Sequence, residues 1–188
     1  MKTIGYLLFS IMAITLMLGG SAFAQGDESY YFVTYFSNAN TAAAPDATMR
    51  IVNDGDSGGD LFAAIYIFDD SEELTECCAC QVTPDGLLSE SVNKNLTADP
   101  ITGIKPQRGV IKVISSPSSD PTVISQVPGL REWSTHVQKL TSGYAMTETL
   151  AADSNLAPSE ADLLSMLCSF DVLLSGPPCT CTQEDQDF

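Results

Sequence analysis

The sequence of 188 residues predicts a mainly β protein, an antiparallel β-sandwich of about seven strands with one C-terminal α-helix, tied together by disulfide bonds. Short runs of β-branched and aromatic residues recur along the chain, separated by Gly, Pro, Asn and Asp residues that favour turns. One segment near the C-terminus has apolar residues at helical spacing, and the six cysteines form two clusters. With 44% hydrophobic residues, the chain has enough apolar material for a buried core.

The strand prediction begins with Leu61 to Phe68, which is apolar throughout, as in a strand covered on both faces. The run from Ala47 to Val52 alternates between apolar and polar residues. The other predicted strands are residues 30–36, 110–114, 123–124, 133–137 and 144–150. Residues 87–96 are ambiguous between strand and helix, because their leucines and valine repeat every four residues while their serines and asparagines favour strands or loops. We expect a strand there.

The helix prediction covers residues 159–175. Ser159 can cap the N-terminus, and Asp162 three residues later completes a capping-box pattern. Gly176, followed by two prolines, ends the helix. One face carries the apolar residues Leu163, Leu167, Phe170 and Leu174. We expect this face to pack on the sheet, with Cys168 beside it.

The N-terminus has the parts of a secretory signal. Lys2 precedes an apolar run from Ile4 to Leu18, and the small residues Ala22 and Ala24 follow. The apolar run is shorter than the roughly 20 residues that span a bilayer. We therefore expect removal of residues 1–24, and a location in the periplasm, at the cell surface or in the medium without membrane insertion.

The rest of the chain is predicted to be one domain, residues 25–181, with an acidic tail at 182–188. The chain has 24 Asp and Glu against 8 Lys and Arg, a formal net charge of -16. Nucleic-acid binding is excluded as a function, because it depends on Lys and Arg that neutralise phosphates. The same charge disfavours docking on anionic lipid.

The cysteines are predicted to form the scaffold. The first cluster is Cys77, Cys78 and Cys80, and the second is Cys168, Cys179 and Cys181. Export into an oxidising compartment favours disulfides, and a bridge between Cys77 and Cys78, or within either Cys-x-Cys pair, would close a strained small ring. Three bridges between the clusters are the simplest arrangement, with the individual pairs left open. Each would close a loop of about 90 to 100 residues, worth on the order of 4 to 5 kcal/mol. Zinc or copper binding is a weaker alternative, since thiolates need a reducing space. Redox chemistry is also weaker, since the Cys-x-x-Cys of disulfide exchange enzymes is absent.

The first cluster also belongs to a longer motif. Cys77-Cys78-Ala79-Cys80-Gln81-Val82-Thr83-Pro84-Asp85-Gly86-Leu87, with Cys179-Thr180-Cys181 near the end, resembles a family of exported bacterial proteins with a Cys-Cys-x-Cys-x-x-Thr-Pro-x-Gly-Leu motif. The resemblance spans nearly all of the chain after the signal. It implies export and a shared disulfide scaffold, and no activity carries over from it.

One loop is a candidate calcium site. Asp54, Asp56 and Asp60 lie in a glycine-rich run, and calcium prefers several carboxylate oxygens from a flexible loop. Against an EF-hand, Gly58 stands where an oxygen ligand belongs and Ile65 where the bidentate glutamate belongs. The alternative is an exposed hairpin loop in which Gly and Asp serve turn geometry.

Other acidic and aromatic residues are expected to be structural. The acidic run from Asp69 to Glu76 is interpreted as a solvated surface. His136, the single histidine, lies in no nucleophile motif and is expected at the surface. The aromatic segment from Tyr30 to Phe36 is expected to be a core strand, with self-association through its edge as an alternative.

The sequence thus favours an exported non-catalytic binding or structural module that engages a protein or glycan through loops at one end of the sandwich, without a cofactor. The alternatives are a secreted hydrolase that uses paired carboxylates and a calcium-binding exported protein. With this many acids, the sequence itself does not identify a catalytic pair.

Overall fold

The computed structural model describes residues 30–175 and 179–181. These residues form nine strands, one α-helix and a short π-helical segment. The strands are β1 (Tyr31–Ser37), β2 (Thr48–Asn53), β3 (Leu61–Asp69), β4 (Leu74–Val82), β5 (Leu87–Ser91), β6 (Arg108–Ser116), β7 (Leu130–Leu140), β8 (Gly143–Leu150) and β9 (Ala152–Asp153). The π-helical segment is Val92–Leu96 and the helix, α1, is Pro158–Ser175. The predicted signal at 1–24, the tail at 182–188 and the helix stop at Gly176 lie outside the described residues.

The strands form two antiparallel sheets, which confirms the predicted fold class. Sheet A has the order β4-β3-β6-β1-β9, and sheet B has the order β5-β2-β7-β8. The main core lies between the sheets and includes Met49 and Ile51 from β2 and Ile65 and Ile67 from β3. A second core on the other side of sheet A packs Tyr66 and other β3 residues under α1. The strand β3 is therefore covered on both faces, as its continuous apolar sequence predicts.

Three local predictions are corrected. Residues 123–124 are not a strand but part of the loop between β6 and β7. Residues 87–96 are divided between strand β5 and the π-helical segment, where the Ser91 hydroxyl accepts a hydrogen bond from the Lys94 N–H. The strand β4 was not predicted, because its cysteines and Glu76 hide the strand pattern. Its register with β3 places Cys78 opposite Ile65.

The helix begins at Pro158 rather than at a Ser159 cap. The Ala157 carbonyl accepts hydrogen bonds from the N–H groups of Glu160 and Ala161, and proline suits the first helical position because its missing N–H has no partner there. The predicted packing face is also wrong. The buried residues are Leu164, Cys168 and Asp171, whereas Leu163, Phe170 and Leu174 are exposed.

The aromatic strand β1 is an interior strand of sheet A. It pairs with β6 along its whole length, and β9 covers the other edge at Phe32 and Val33. At its end, the Ser37 hydroxyl and the Asn38 amide both donate to the Val137 carbonyl of β7. Among the described residues, the edge strands of sheet B are β5 and β8. No described helix is long and apolar enough to cross a membrane.

Candidate binding groove

Three disulfide bonds join the two cysteine clusters in chain order. Cys77 pairs with Cys168, Cys78 with Cys179 and Cys80 with Cys181. Successive side chains of a strand point to opposite faces, so Cys77 reaches the helix while Cys78 and Cys80 reach the C-terminal segment. The bridges therefore tie β4 to α1 and to the segment 179–181.

The bridges leave no free thiol among the described cysteines. The sulfurs of Cys78, Cys80 and Cys181 all lie within 4.8 Å of one another, with 3.8 Å between Cys78 Sγ and Cys80 Sγ. These sulfurs belong to two neighbouring bridges and are not thiolates in this state. A cavity of about 410 Å³ lies beside these sulfurs, against the loop that contains Pro121.

The acidic loop between β2 and β3 uses its carboxylates within the protein. Asp54 Oδ1 accepts a hydrogen bond from the Asp56 N–H at 3.2 Å, and Asp54 Oδ2 lies 3.4 Å from Arg131 Nε. Asp60 Oδ2 accepts from the Gln81 amide at 2.6 Å. Within the described part of the chain, these three aspartates do not form a cluster of ligand atoms. Calcium binding by Asp54, Asp56 and Asp60 stays a prediction without a preformed site.

His136 is buried, which corrects the expected surface position. Its Nδ1 lies 3.0 Å from the Tyr35 carbonyl oxygen and its Nε2 lies 2.7 Å from Thr149 Oγ1. Its ring stacks on Tyr35 with 4.1 Å between the ring centroids. The imidazole thus joins β1 of sheet A to β7 and β8 of sheet B, where it has a structural role.

Two buried glutamates have raised pKa values. Burial raises the pKa of Glu76 to about 8, and the charges of Asp171 and Asp99 act in the same direction. Glu76 Oε1 accepts the Asp99 N–H at 2.9 Å. The acidic run from Asp69 to Glu76 was expected to be a solvated surface, but the side chain of Glu76 is fully buried. Burial also raises the pKa of Glu132 to about 8. This buried side chain belongs to β7 of sheet B, and its Oε1 accepts a hydrogen bond from the Ser134 hydroxyl.

An open groove of about 800 Å³ lies at one end of the sandwich. Three segments line it: residues 37–38 at the end of β1, residues 69–73 from the end of β3 into the β3–β4 turn, and residues 102–108 before and into β6. The lining combines carboxylates, two cationic side chains and several hydroxyl and amide groups. Such a surface offers hydrogen-bond donors and acceptors to a polar ligand.

The turn at 69–73 is held by Asp69. Its Oδ1 accepts hydrogen bonds from the N–H groups of Ser71 and Glu73, at 2.8 and 3.1 Å. Glu72 takes a φ of 67°, which lets the chain reverse into β4. The turn directs Asp70 toward β6, where its Oδ2 lies 2.7 Å from both Nε and Nη2 of Arg108.

One backbone hydrogen bond and one side-chain hydrogen bond join the chain just after β1 to the groove segment before β6. The Ala39 N–H donates to the Gln107 carbonyl at 2.9 Å, and the Asn40 amide donates to the Pro106 carbonyl at 2.9 Å. Next to Arg108, a Cβ atom on Gly109 would come within 1.9 Å of the Phe68 carbonyl oxygen. Glycine at this position therefore lets β6 pass close to β3 at the base of the groove.

Sequence reasoning predicted loops at one end of the sandwich as the binding region but did not locate the groove. Its lining residues come from segments far apart in the chain, and none of them forms a motif. The acidic run from Asp69 was the available signal, since it marks a turn with several exposed polar side chains.

Comparisons with known proteins leave the family open. No family model matches the chain, and no curated protein matches it. Among solved structures, the crystal structure of protein 1070 of Thermotoga maritima is similar, with a TM-score of 0.45 and 15% sequence identity over 69% of this chain and 97% of that chain. The resemblance to the exported bacterial family therefore stays a prediction.

Proposed function

We propose that the protein is an exported, non-catalytic binding module that holds a glycan in the groove formed by residues 37–38, 69–73 and 102–108. The observation that carries this proposal is the polar lining of an open groove at one end of a disulfide-tied sandwich. Loops on a rigid scaffold are common binding sites, because they can vary without cost to the core. The three bridges support export, since disulfides persist in oxidising compartments.

The groove lining favours a glycan over a protein partner. Protein interfaces are centred on aromatic and other large anchors in dry pockets. Among the residues that the structure describes, no aromatic side chain lines this groove, and Ile104 is its largest exposed apolar residue. Sugar hydroxyls both donate and accept hydrogen bonds, and the groove offers partners of both kinds in Asp70, Glu73, Lys105 and Gln107.

The buried acids support a non-catalytic role. A general acid of a glycosidase has a raised pKa and touches the scissile bond. Glu76 and Glu132, whose pKa values are raised, are both fully buried and line no part of the groove. A sugar in the groove would therefore not touch either carboxyl.

A glycan array with the purified protein tests the proposal. We expect binding of a set of glycans, an at least tenfold weaker affinity in the Lys105→Ala/Arg108→Ala variant, and no turnover of the bound glycans. The matched control, Lys94→Ala/Lys139→Ala, removes the same charge from two exposed positions outside the groove. Release of reducing ends would support a hydrolase instead, and binding that both variants retain would exclude the groove.

A further inference from the structure

Helix α1 exposes apolar side chains on the side that faces away from β4. Five large residues are exposed there: Leu163 (40%), Met166 (50%), Phe170 (57%), Leu173 (78%) and Leu174 (73%). We call these five residues the helix stripe. Helices with apolar residues on all sides are usually buried on all sides. The described residues, however, cover α1 on one side only.

The stripe has the spacing of a helix-pairing seam. Leu163, Met166, Phe170 and Leu173 are separated by three, four and three residues, which is the a and d pattern of a coiled coil. In the same register, the buried residues Leu164, Cys168 and Asp171 occupy b and f positions on the opposite side. One helix therefore has a face for its own sheet and a separate face for another helix.

We propose that the helix stripe binds the helix stripe of a second copy of this chain, with the two helices antiparallel. At roughly 200 Å² for a fully exposed large side chain, the five exposed fractions amount to roughly 600 Å² per copy and roughly 1,200 Å² per dimer. This area lies at the lower end of the range for specific interfaces. The contact is isologous, so it closes as a dimer.

The charges beside the stripe favour the antiparallel arrangement. Glu160 and Asp162 are the charged side chains at the positions that flank the stripe, and both lie near the N-terminal end of the helix. In a parallel pair these acidic residues of both copies would lie at the same end of the pair. In an antiparallel pair they lie about 20 Å apart along the axis, beyond a Debye length of about 8 Å at physiological salt.

The net charge of -16 opposes the approach of two copies. Salt screens this repulsion and does not weaken apolar burial. The dimer is therefore stabilised by sodium chloride, whereas an association through ion pairs would be weakened by it.

Sedimentation of the full chain, expressed with its own N-terminal segment and purified after export, tests the proposal. We expect a monomer–dimer equilibrium whose dissociation constant falls several-fold between 50 and 500 mM sodium chloride. The Phe170→Lys/Leu173→Lys variant should be monomeric at the same concentrations. Both positions are exposed, so the fold should be retained, and circular dichroism with a thiol count checks that it is.

The matched control is Leu140→Lys/Met146→Lys, which adds the same charge at two comparably exposed apolar residues of β7 and β8. It should dimerise like the unchanged chain. A dimer that survives the helix variant but not this control would place the contact at the β8 edge and overturn the proposal. The proposal would also be overturned if the unchanged chain stayed monomeric at 0.5 mM, or if it bound neutral lipid vesicles as a monomer.

A photo-crosslinker at position 173 tests the orientation. Adducts with the N-terminal end of the partner's helix, around residue 163, are expected for antiparallel helices. Adducts with the region around residue 173 of the second copy would contradict the antiparallel arrangement.

Discussion

The two ends of strand β4 are held in different ways. From Cys77 onward, three covalent bridges fasten β4 to α1 and to the segment 179–181, and five of the six cysteines are buried. Just before β4, the groove turn at 69–73 is held by two backbone hydrogen bonds that the Asp69 carboxylate accepts and by a surface ion pair. We infer that stability is concentrated in the bridged region, which leaves the groove free to serve binding.

Reduction of all three bridges should have the largest effect. A single bridge that closes a loop with the observed separation of 91 or 101 residues is worth about 4 to 5 kcal/mol in the chain-entropy account. Together the bridges should contribute more than about 5 kcal/mol, a large part of the 5 to 15 kcal/mol that is typical of a domain. Urea unfolding of the oxidised and the reduced protein measures this difference. Equal midpoints would contradict the central role of the bridged region.

Loss of a single bridge should lower the free energy of unfolding by less, because a neighbouring bridge still closes the long loop. With Cys78–Cys179 intact, loss of Cys77–Cys168 frees a ring of about 14 residues, worth about 3 kcal/mol. Loss of Cys80–Cys181 frees a ring of about six residues, worth about 2 kcal/mol. Paired alanine variants of each bridge, compared by urea unfolding, test the order. A cost near 5 kcal/mol for Cys80→Ala/Cys181→Ala would show that the bridges act independently.

Glu76 lies on β4 between the groove and the bridges, and it should make stability depend on pH. Its pKa is raised to about 8 in the folded state, so the folded protein holds a proton that the unfolded chain loses near pH 4.5. Stability should therefore fall as the pH rises from about 5 to 8, by at most about 1.4 kcal/mol per pH unit for this group. The variant Glu76→Gln keeps an acceptor for the Asp99 N–H and should flatten this dependence.

The control for this pH dependence is Glu72→Gln, which changes an exposed glutamate of the turn before β4. Thermal unfolding between pH 5 and 8 compares the three proteins. Glu132, whose pKa is also raised to about 8, remains in all of them and leaves a residual slope. If the stability of Glu76→Gln falls with pH as steeply as that of the unchanged chain, Glu76 does not hold a proton in the folded state.

The sequence predicted an element correctly where its residue pattern was compatible with a single structure. The apolar run of β3 is too long and continuous for a half-exposed strand, so its burial on both faces followed directly. The helix α1 was located for a similar reason, but its buried face was wrong. The helix is apolar nearly all round, so periodicity did not distinguish the face with Leu163 and Phe170 from the face with Leu164. The bridge from Cys168 to Cys77 makes that choice.

The groove was beyond sequence reasoning for a different reason. Asn38, Asp70 and Lys105 come together only because β1, β3 and β6 are neighbours in sheet A. That strand order results from the packing of the whole domain and has no local signature. The burial of Glu76 was missed likewise, since the acidic residues before it are exposed and nothing in the run marks where β4 enters the core.

The groove variant should have the smallest effect on stability, which is the sharpest test of the contrast between the two ends of β4. Lys105→Ala/Arg108→Ala removes the Arg108–Asp70 pair, whose side chains are 71% and 49% exposed. Exposed pairs contribute about 0 to 1 kcal/mol, so the urea midpoint should hardly move, while glycan binding weakens at least tenfold. If the variant instead unfolds with the bridge variants, the groove loops belong to the stabilising framework. The charge of Lys105, which lowers the pKa of Glu76, would then act on Glu76 rather than on a ligand.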